Sequence, residues 1–353
     1  MVREAYLSWT RSTNAMSRPL CIAFVVVALA ACSGGREGTL PAQASFPAVS
    51  RATAGDVYVA SWYGNSVNGY ASIGKPQVRA LTSGIEYPNA LGFDKSGNLY
   101  VGNYGLPSGS LTSSIAVYAP GATAPTRTIT NGIYGPYAIA FGPSARLYVA
   151  NYGASDVTIY AAGSSTVLQT ISDDVRGPEA LAFDSSGNLY VANWSNNTVT
   201  EYAPNKASPT KTYTVGILTP VSLAVDTAGD LYVSNHRGNS VTVYGSRHKD
   251  QPRVITDGVR RPLTIISTAA KELYVLNYLN NTVSVYSEKT LARVRTISTG
   301  IACPTAMSAS KSGYLYVANT CPSSVSIYAL TGTKLLHSIS RNLSGPVALS
   351  IAP

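Results

Sequence analysis

Seven times along the chain a Tyr sits at the centre of an x-Tyr-Val triplet, at Tyr58, Tyr100, Tyr148, Tyr190, Tyr232, Tyr274 and Tyr316, in equal steps except for a longer one from Tyr100 to Tyr148. A fixed period of about 40 residues marks a repeat architecture, in which each unit is one supersecondary element that buries its faces against its neighbours. Two further markers recur in every unit. A Tyr closes a Val/Ile-x-x-Tyr segment (Tyr70, Tyr118, Tyr160, Tyr202, Tyr244, Tyr286, Tyr328), and a Pro follows each of them at one constant distance (Pro88, Pro136, Pro178, Pro220, Pro262, Pro304, Pro346).

One unit reads as four strands. Gly177-Pro178-Glu179-Ala180-Leu181-Ala182-Phe183 is a proline entry and a short apolar strand, and Asp184-Ser185-Ser186-Gly187-Asn188 is a tight hairpin in which Gly supplies positive φ. Leu189-Tyr190-Val191-Ala192-Asn193 is a second strand, and the alternating segment 198–202 a third. The segment 209–214 is a polar fourth strand, whose Pro and charge protect a sheet edge. No stretch sustains a helical period, and a β-helix needs shorter coils. The expected fold is therefore all-β: a seven-bladed β-propeller of four-stranded antiparallel blades over residues 55–353.

The phase of the ends predicts how the ring closes. The first unit starts at Gly55-Asp56-Val57-Tyr58, already a second strand, while the chain stops at a first strand, Gly345-Pro346-Val347-Ala348-Leu349-Ser350-Ile351, that has no successor. The C-terminal strand is expected to complete the first blade. The competing segment Pro47-Ala48-Val49-Ser50 stands one position closer to Tyr58 than the spacing that separates Pro from Tyr in every other unit. A slip of one residue would turn each side chain to the wrong face. The longer unit, from Tyr100 to Tyr148, carries its extra residues between its second and third strands, roughly at Gly105-Leu106-Pro107-Ser108-Gly109-Ser110. Insertions of this kind mark a binding face, with drift of a tolerant loop as the alternative.

Ahead of the repeat, Arg3, Arg11 and Arg18 precede an apolar run from Leu20 to Ala31. The run is too short to span a bilayer and has the shape of an export signal, so residues 1–31 are read as a signal peptide, with Met16 as an alternative start. Leu29-Ala30-Ala31-Cys32 followed by Ser33 looks like a bacterial lipobox. Cys32 is thus the expected lipidation site, and ordinary cleavage near Ala31 is the alternative. Ser33 after the Cys resembles the sorting pattern of lipoproteins bound for a Gram-negative-type outer membrane. Residues 32–54, rich in Gly, Ala, Ser, Pro and Thr, are expected to form a flexible tether.

Export permits a disulfide. The turn Ser310-Lys311-Ser312-Gly313 places Cys303 and Cys321 opposite each other across a hairpin, where Cα atoms lie about 4.5–5.5 Å apart, within disulfide reach. Two free buried thiols are the alternative.

The formal charge is +9 although only 12% of residues are charged. Arg237, Arg247, Lys249, Arg253, Arg260 and Arg261 fall in one repeat with His236 and His248. Such a cluster suits anionic headgroups, lipopolysaccharide or an acidic partner, or is a solvated edge. Nucleic acid is not an expected partner of an exported protein.

The entry into each first strand and the loop from second to third strand share one rim of the ring. Second strands end in Asn103, Asn151, Asn193, Asn235, Asn277 and Asn319, with Ser61 in the first; next to them stand Trp62, Tyr104, Tyr152, Trp194, His236, Tyr278 and Thr320. If both sets face the channel mouth they form a ring of amides and aromatics, suited to stacking on sugars or gripping a peptide. The candidate ligand-binding residues are Trp62, Tyr104, Tyr137, Tyr152, Asn193, Trp194, His236 and Tyr278. For the Asn series the competing reading is bonding to its own loop backbone, as Asx turns do.

Catalytic signals are sparse. The three histidines, His236, His248 and His337, form no His-x-x-His, and neither metal-type Cys spacing nor a Gly-rich phosphate loop occurs, so no metal and no cofactor are expected. Asp94, Asp184 and Asp226 recur at the end of the first strand, where a turn-capping role is expected. Glu179 is the one carboxylate at the entry of a first strand, and Glu179 with His236 is the only acid/base pair on offer.

Leu-Tyr-Val-Ala-Asn with Asn-Asn-Thr-Val-x-x-Tyr, as at 189–202, resembles the YVTN and NHL repeats of bacterial propellers, and the similarity covers residues 55–353. The resemblance implies an exported or surface-attached binding scaffold more often than an enzyme, although lyases, lactonases and quinoproteins share the architecture. The expectation is a lipid-anchored, non-enzymatic monomer that recognises an envelope polypeptide or glycan at the channel rim. The alternative is a lyase or hydrolase using Glu179 and His236.

Overall fold

The computed structural model of the protein describes residues 54–73, 76–105 and 112–353, without the side chains of residues 248 and 249. The signal segment, Cys32, most of the tether, the competing segment 47–50 and the extra residues 106–110 lie outside the described residues.

Seven antiparallel sheets of four strands follow one another as the blades of a propeller. In the fourth blade the strands are Pro178–Phe183, Leu189–Asn193, Thr198–Tyr202 and Lys211–Tyr213. The first blade is built from both ends of the sequence, because Pro346–Ile351 pairs with Val57–Ser61, Ile351 opposite Val57 and Leu349 opposite Val59. The predicted closing strand is the observed one.

The second strands of the first five blades are buried along their whole length, since blades stack face to face and leave neither side of these strands to water. The triplet Tyr residues belong to this core, Tyr58, Tyr232 and Tyr316 at 0% exposure. Tyr58, Tyr100 and Tyr148 meet Phe93, Phe141 and Phe183 of the next blade edge to face, with ring centroids 4.9–5.1 Å apart. Each buried apolar cluster is shared by two adjacent blades, so the core is a ring of wedges.

The outer strands hold a pattern that the triplets hide. Arg79, Arg127, Lys211, Arg253 and Arg295 occupy one position, with Gln169 and His337 completing the seven. The guanidinium carbons of Arg79, Arg127 and Arg295 lie 5.6–6.0 Å from the ring centroids of Tyr58, Tyr100 and Tyr274. The same groups donate to carbonyls of the following blade, at Ala119, Gly163 and Leu330. These three arginines are thus part of the scaffold.

On the rim opposite the candidate site, Asp94, Asp184 and Asp226 each accept two backbone N–H bonds of their own hairpin, at 2.8–2.9 Å, as expected of turn caps.

Candidate functional site

The rim of the candidate site is shaped by what each proline removes. Prolines opening the first strands lie opposite the Asn residues ending the second strands, Pro178 opposite Asn193 and Pro262 opposite Asn277. A proline has no N–H to give the ladder. The Asn side chain reaches past it instead, and Oδ1 accepts the N–H two residues before the proline: Glu86 to Asn103, Tyr134 to Asn151, Arg176 to Asn193, Leu218 to Asn235, Arg260 to Asn277 and Ala302 to Asn319, at 2.9–3.1 Å.

The residue just before each proline stands in the left-handed region, with φ between 44° and 60° at Tyr87, Gly135, Gly177, Thr219, Arg261, Cys303 and Gly345. Its backbone is held on both sides. The N–H is taken by a side chain of the preceding blade, such as Asn65 for Tyr87, Asn197 for Thr219 and Asn239 for Arg261. The carbonyl accepts the N–H of the aromatic position: Trp62 to Gly345, Tyr104 to Tyr87, Tyr152 to Gly135, Trp194 to Gly177, His236 to Thr219, Tyr278 to Arg261 and Thr320 to Cys303, at 3.0–3.1 Å. At Gly177 a Cβ would lie 3.2 Å from the Tyr152 ring, in addition to the positive φ.

These clamps fix the backbone from which the rim side chains project. An aromatic arc results: Trp62 lies 5.3 Å from Tyr87 and 5.8 Å from Tyr104, Tyr104 6.5 Å from Tyr137, Tyr137 5.4 Å from Tyr152, and Tyr152 6.3 Å from Trp194, all between ring centroids. The Arg237 guanidinium, 5.6 Å from the Trp194 centroid, caps the arc. Five of the expected ligand-binding residues therefore line up across blades 1 to 4, with Tyr104, Tyr137, Tyr152 and Trp194 half-buried and Trp62, at 8% exposure, largely covered.

The other candidates are placed differently. Asn193 is fully buried; its Oδ1 holds Arg176 N–H and its Nδ2 donates to Thr198 and Thr200, so it belongs to the scaffold and is withdrawn as a ligand contact. The partner of the Asn series is the entry loop of the blade and not its own turn. His236 stands beyond the arc with Nδ1 3.3 Å from Pro262 O, a contact that puts the ring proton on Nδ1. Tyr278 follows on blade 6 beside Arg261. Glu179 is 5% exposed at the head of its strand. Burial raises the Tyr152 hydroxyl above the ordinary Tyr range, and the Glu179 carboxylate adds to that rise.

The basic cluster read from one repeat is divided by the fold. Arg237, Arg260 and Arg261 lie on the candidate rim, Arg247 in a turn of the opposite rim, and Arg253 on an outer strand 4.0 Å from Asp230. Arg176, absent from that cluster, joins the rim through Ser195, whose N–H donates to Arg176 O at 3.2 Å. A linear reading misses it because it lies two blade entries earlier in the sequence. Cys303 and Cys321 form a disulfide with Cα atoms 5.5 Å apart, tying the entry of the last blade to its second-to-third-strand loop. Among the described residues no group of three or more His, Cys, Asp or Glu is placed to hold a metal ion.

Comparison with known proteins follows the same architecture. The family described as SMP-30/Gluconolactonase/LRE-like region matches residues 33–237. Among solved structures, a functionally unknown protein of Desulfotomaculum acetoxidans aligns over 84% of this chain and 99% of its own, with 14% identity and a TM-score of 0.68. A Bacteroides uniformis protein provisionally named 6-phosphogluconolactonase aligns over 84% and 99%, with 16% identity and a TM-score of 0.69. A Bacteroides fragilis protein with the same provisional name aligns over 85% and 98%, with 16% identity and a TM-score of 0.68. At these identities the likeness is one of fold. No curated protein matches the chain.

Proposed function

The chain belongs to the SMP-30/gluconolactonase/LRE-like family; within that architecture we propose, on the geometry of the rim, that it is a non-enzymatic binding propeller, held at the cell envelope by a lipid on Cys32, that takes a glycan or polypeptide on its aromatic rim. The observation that carries this reading is the unbroken arc from Tyr87 through Trp62, Tyr104, Tyr137 and Tyr152 to Trp194. Aromatic faces on a backbone clamped before any ligand arrives lose little entropy on binding, and a row of them offers stacking at each step. The lipobox-like Leu29-Ala30-Ala31-Cys32 and the repeat resemblance support the envelope location. The test is a glycan array and a pull-down from envelope extract, each run with the wild-type protein and with Trp62→Ala/Trp194→Ala. Binding that the double variant loses supports the rim; identical profiles remove it.

A second reading has its own support. The family and the provisionally named Bacteroides proteins point to lactone hydrolysis, and the one carboxylate at a first-strand head, Glu179, is buried in the blade next to that of His236. In that reading His236, with its proton on Nδ1, presents Nε2 as the base, and Glu179 is the acid or charge partner. Turnover of gluconolactone or 6-phosphogluconolactone, abolished by Glu179→Ala with affinity nearly unchanged, establishes the enzyme. Equal background rates for wild type and variant exclude it.

A further inference from the structure

We infer that the rim ligand is an acidic saccharide chain, whose sugar faces stack along the arc while its negative groups are held by Arg176, Arg237, Arg260 and Arg261; this rests on the binding reading above.

The arginines and the arc are parts of one surface. Trp194 is joined to the Arg176 entry loop by two backbone bonds, Trp194 N–H to Gly177 O and Ser195 N–H to Arg176 O. Arg237 stacks on Trp194. The loop that carries Arg237 also supplies Asn239, whose Oδ1 accepts Arg261 N–H at 2.8 Å, and Arg261 O in turn accepts Tyr278 N–H. Arg176, Arg237, Arg260 and Arg261 are all exposed. Arg176 and Arg260 each turn one Nη back onto the preceding carbonyl, at 2.7 and 3.1 Å, which steadies the guanidinium. None of Arg176, Arg260 and Arg261 has an ion-pair partner among the described residues. The outer-strand arginines, by contrast, are committed: Arg295 to Glu272 and Arg293 to Asp257. Planar forks on exposed rim loops are suited to carboxylate or phosphate oxygens.

A peptide is disfavoured by the same clamps that order the rim. An extended peptide gains affinity by pairing its backbone with exposed N–H and C=O groups. Here the residue before each proline has both groups engaged, one by the upstream Asn or Ser and one by the aromatic N–H. What the rim offers is ring faces and guanidinium forks, which match C–H faces and negative substituents of a sugar chain.

The experiment is calorimetric titration of the soluble protein with oligogalacturonate, with its fully methyl-esterified form, and with a phosphomannan oligosaccharide. The ester keeps the chain and removes the charge. Expected is a preference of about tenfold or more for an acidic oligomer over the ester, weakened by salt as screening requires. That preference should fall to near unity in Arg176→Ala/Arg260→Ala/Arg261→Ala, which leaves the arc in place. The two acidic arms distinguish carboxylate from phosphate as the recognised group. Equal affinity for oligogalacturonate and ester, with no preference for the phosphomannan, overturns the inference while leaving a glycan-binding rim standing. Binding to none of the three overturns the inference and the glycan reading together. Circular dichroism and thermal melting of the triple variant exclude loss of fold as the cause.

Discussion

The Tyr118 hydroxyl donates to the carbonyl oxygen of Ser83 at 2.5 Å, from the third strand of one blade to the chain leaving the previous one. All seven third-strand Tyr residues make this bond, with Arg341, Asn131, Asp173, Val215, Asp257 and Thr299 accepting in the other six. Burial raises the Tyr118 hydroxyl far above its ordinary range, so it stays a protonated donor. The second Tyr of the repeat is therefore an inter-blade tie, and its apolar ring alone does not account for it.

Tyr118→Phe should cost about 1 kcal/mol, the net worth of one hydrogen bond between blades whose acceptor, Ser83, is exposed. The expected fall in Tm is roughly 2–4 °C by scanning calorimetry. Tyr232→Phe should behave differently. The Tyr232 hydroxyl is buried with no hydrogen-bond partner among the described residues, so its removal should leave Tm unchanged or raise it. Equal losses in both variants would show that the inter-blade bond of the Tyr118 hydroxyl adds nothing to stability beyond what an unpartnered hydroxyl does.

Arg295 gathers Glu272 Oε1 and Oε2 at 2.6 and 2.7 Å, the Tyr274 hydroxyl at 2.7 Å and the Leu330 carbonyl of the next blade. Arg295→Met should destabilise the protein by about 2–3 kcal/mol, because a partly buried carboxylate is left behind, and adding Glu272→Gln should recover part of the loss. The pH dependence follows from the same contact. Arg295 holds the Glu272 carboxyl below the usual carboxylate range. A depressed folded-state pKa stabilises above the ordinary value and is lost as pH falls through the folded one. The acid limb of a Tm-against-pH profile should therefore flatten in Arg295→Met.

The ring and its closure were legible in sequence because both are statements about spacing. The chain ends on a first strand and begins on a second, and Pro47 misses the Pro-to-Tyr spacing that Pro346 satisfies when it is carried round to Tyr58. The disulfide was legible for the same reason, as Cys303 and Cys321 flank one hairpin. The roles of repeated polar residues were less so. Asn193 is as periodic as any core residue, and period alone does not say whether an amide faces a ligand or a backbone N–H; the proline opposite it decides that. The basic cluster failed in the other direction. Arg237 and Arg253 are close in sequence, yet one lies on a rim loop and the other on an outer strand, while Arg176, a full blade away, is the neighbour that Arg237 meets through Trp194.

Glu288 supplies the last test, on the far rim. It is 6% exposed, accepts from the Ser267 hydroxyl at 2.6 Å through Oε1, and has no hydrogen-bond partner for Oε2 among the described residues. Burial is the main cause that raises its pKa above the ordinary 4.5; Asp226 and Asp230 add to the rise, whereas Ser267 and Lys271 oppose it. A raised folded-state pKa means that the folded protein binds the proton more tightly than the unfolded chain. The stability from that proton is fully present below pH 4.5 and is lost as pH rises through the folded value. Glu288→Gln keeps the acceptor for Ser267 and removes the buried charge. Thermal melts should then show the variant more stable than the wild type at pH 7, with the advantage shrinking to nothing as pH is lowered below 4.5. A variant less stable than the wild type at pH 7 would mean that the charged carboxylate has a favourable partner in the folded state and that burial is not its controlling cost.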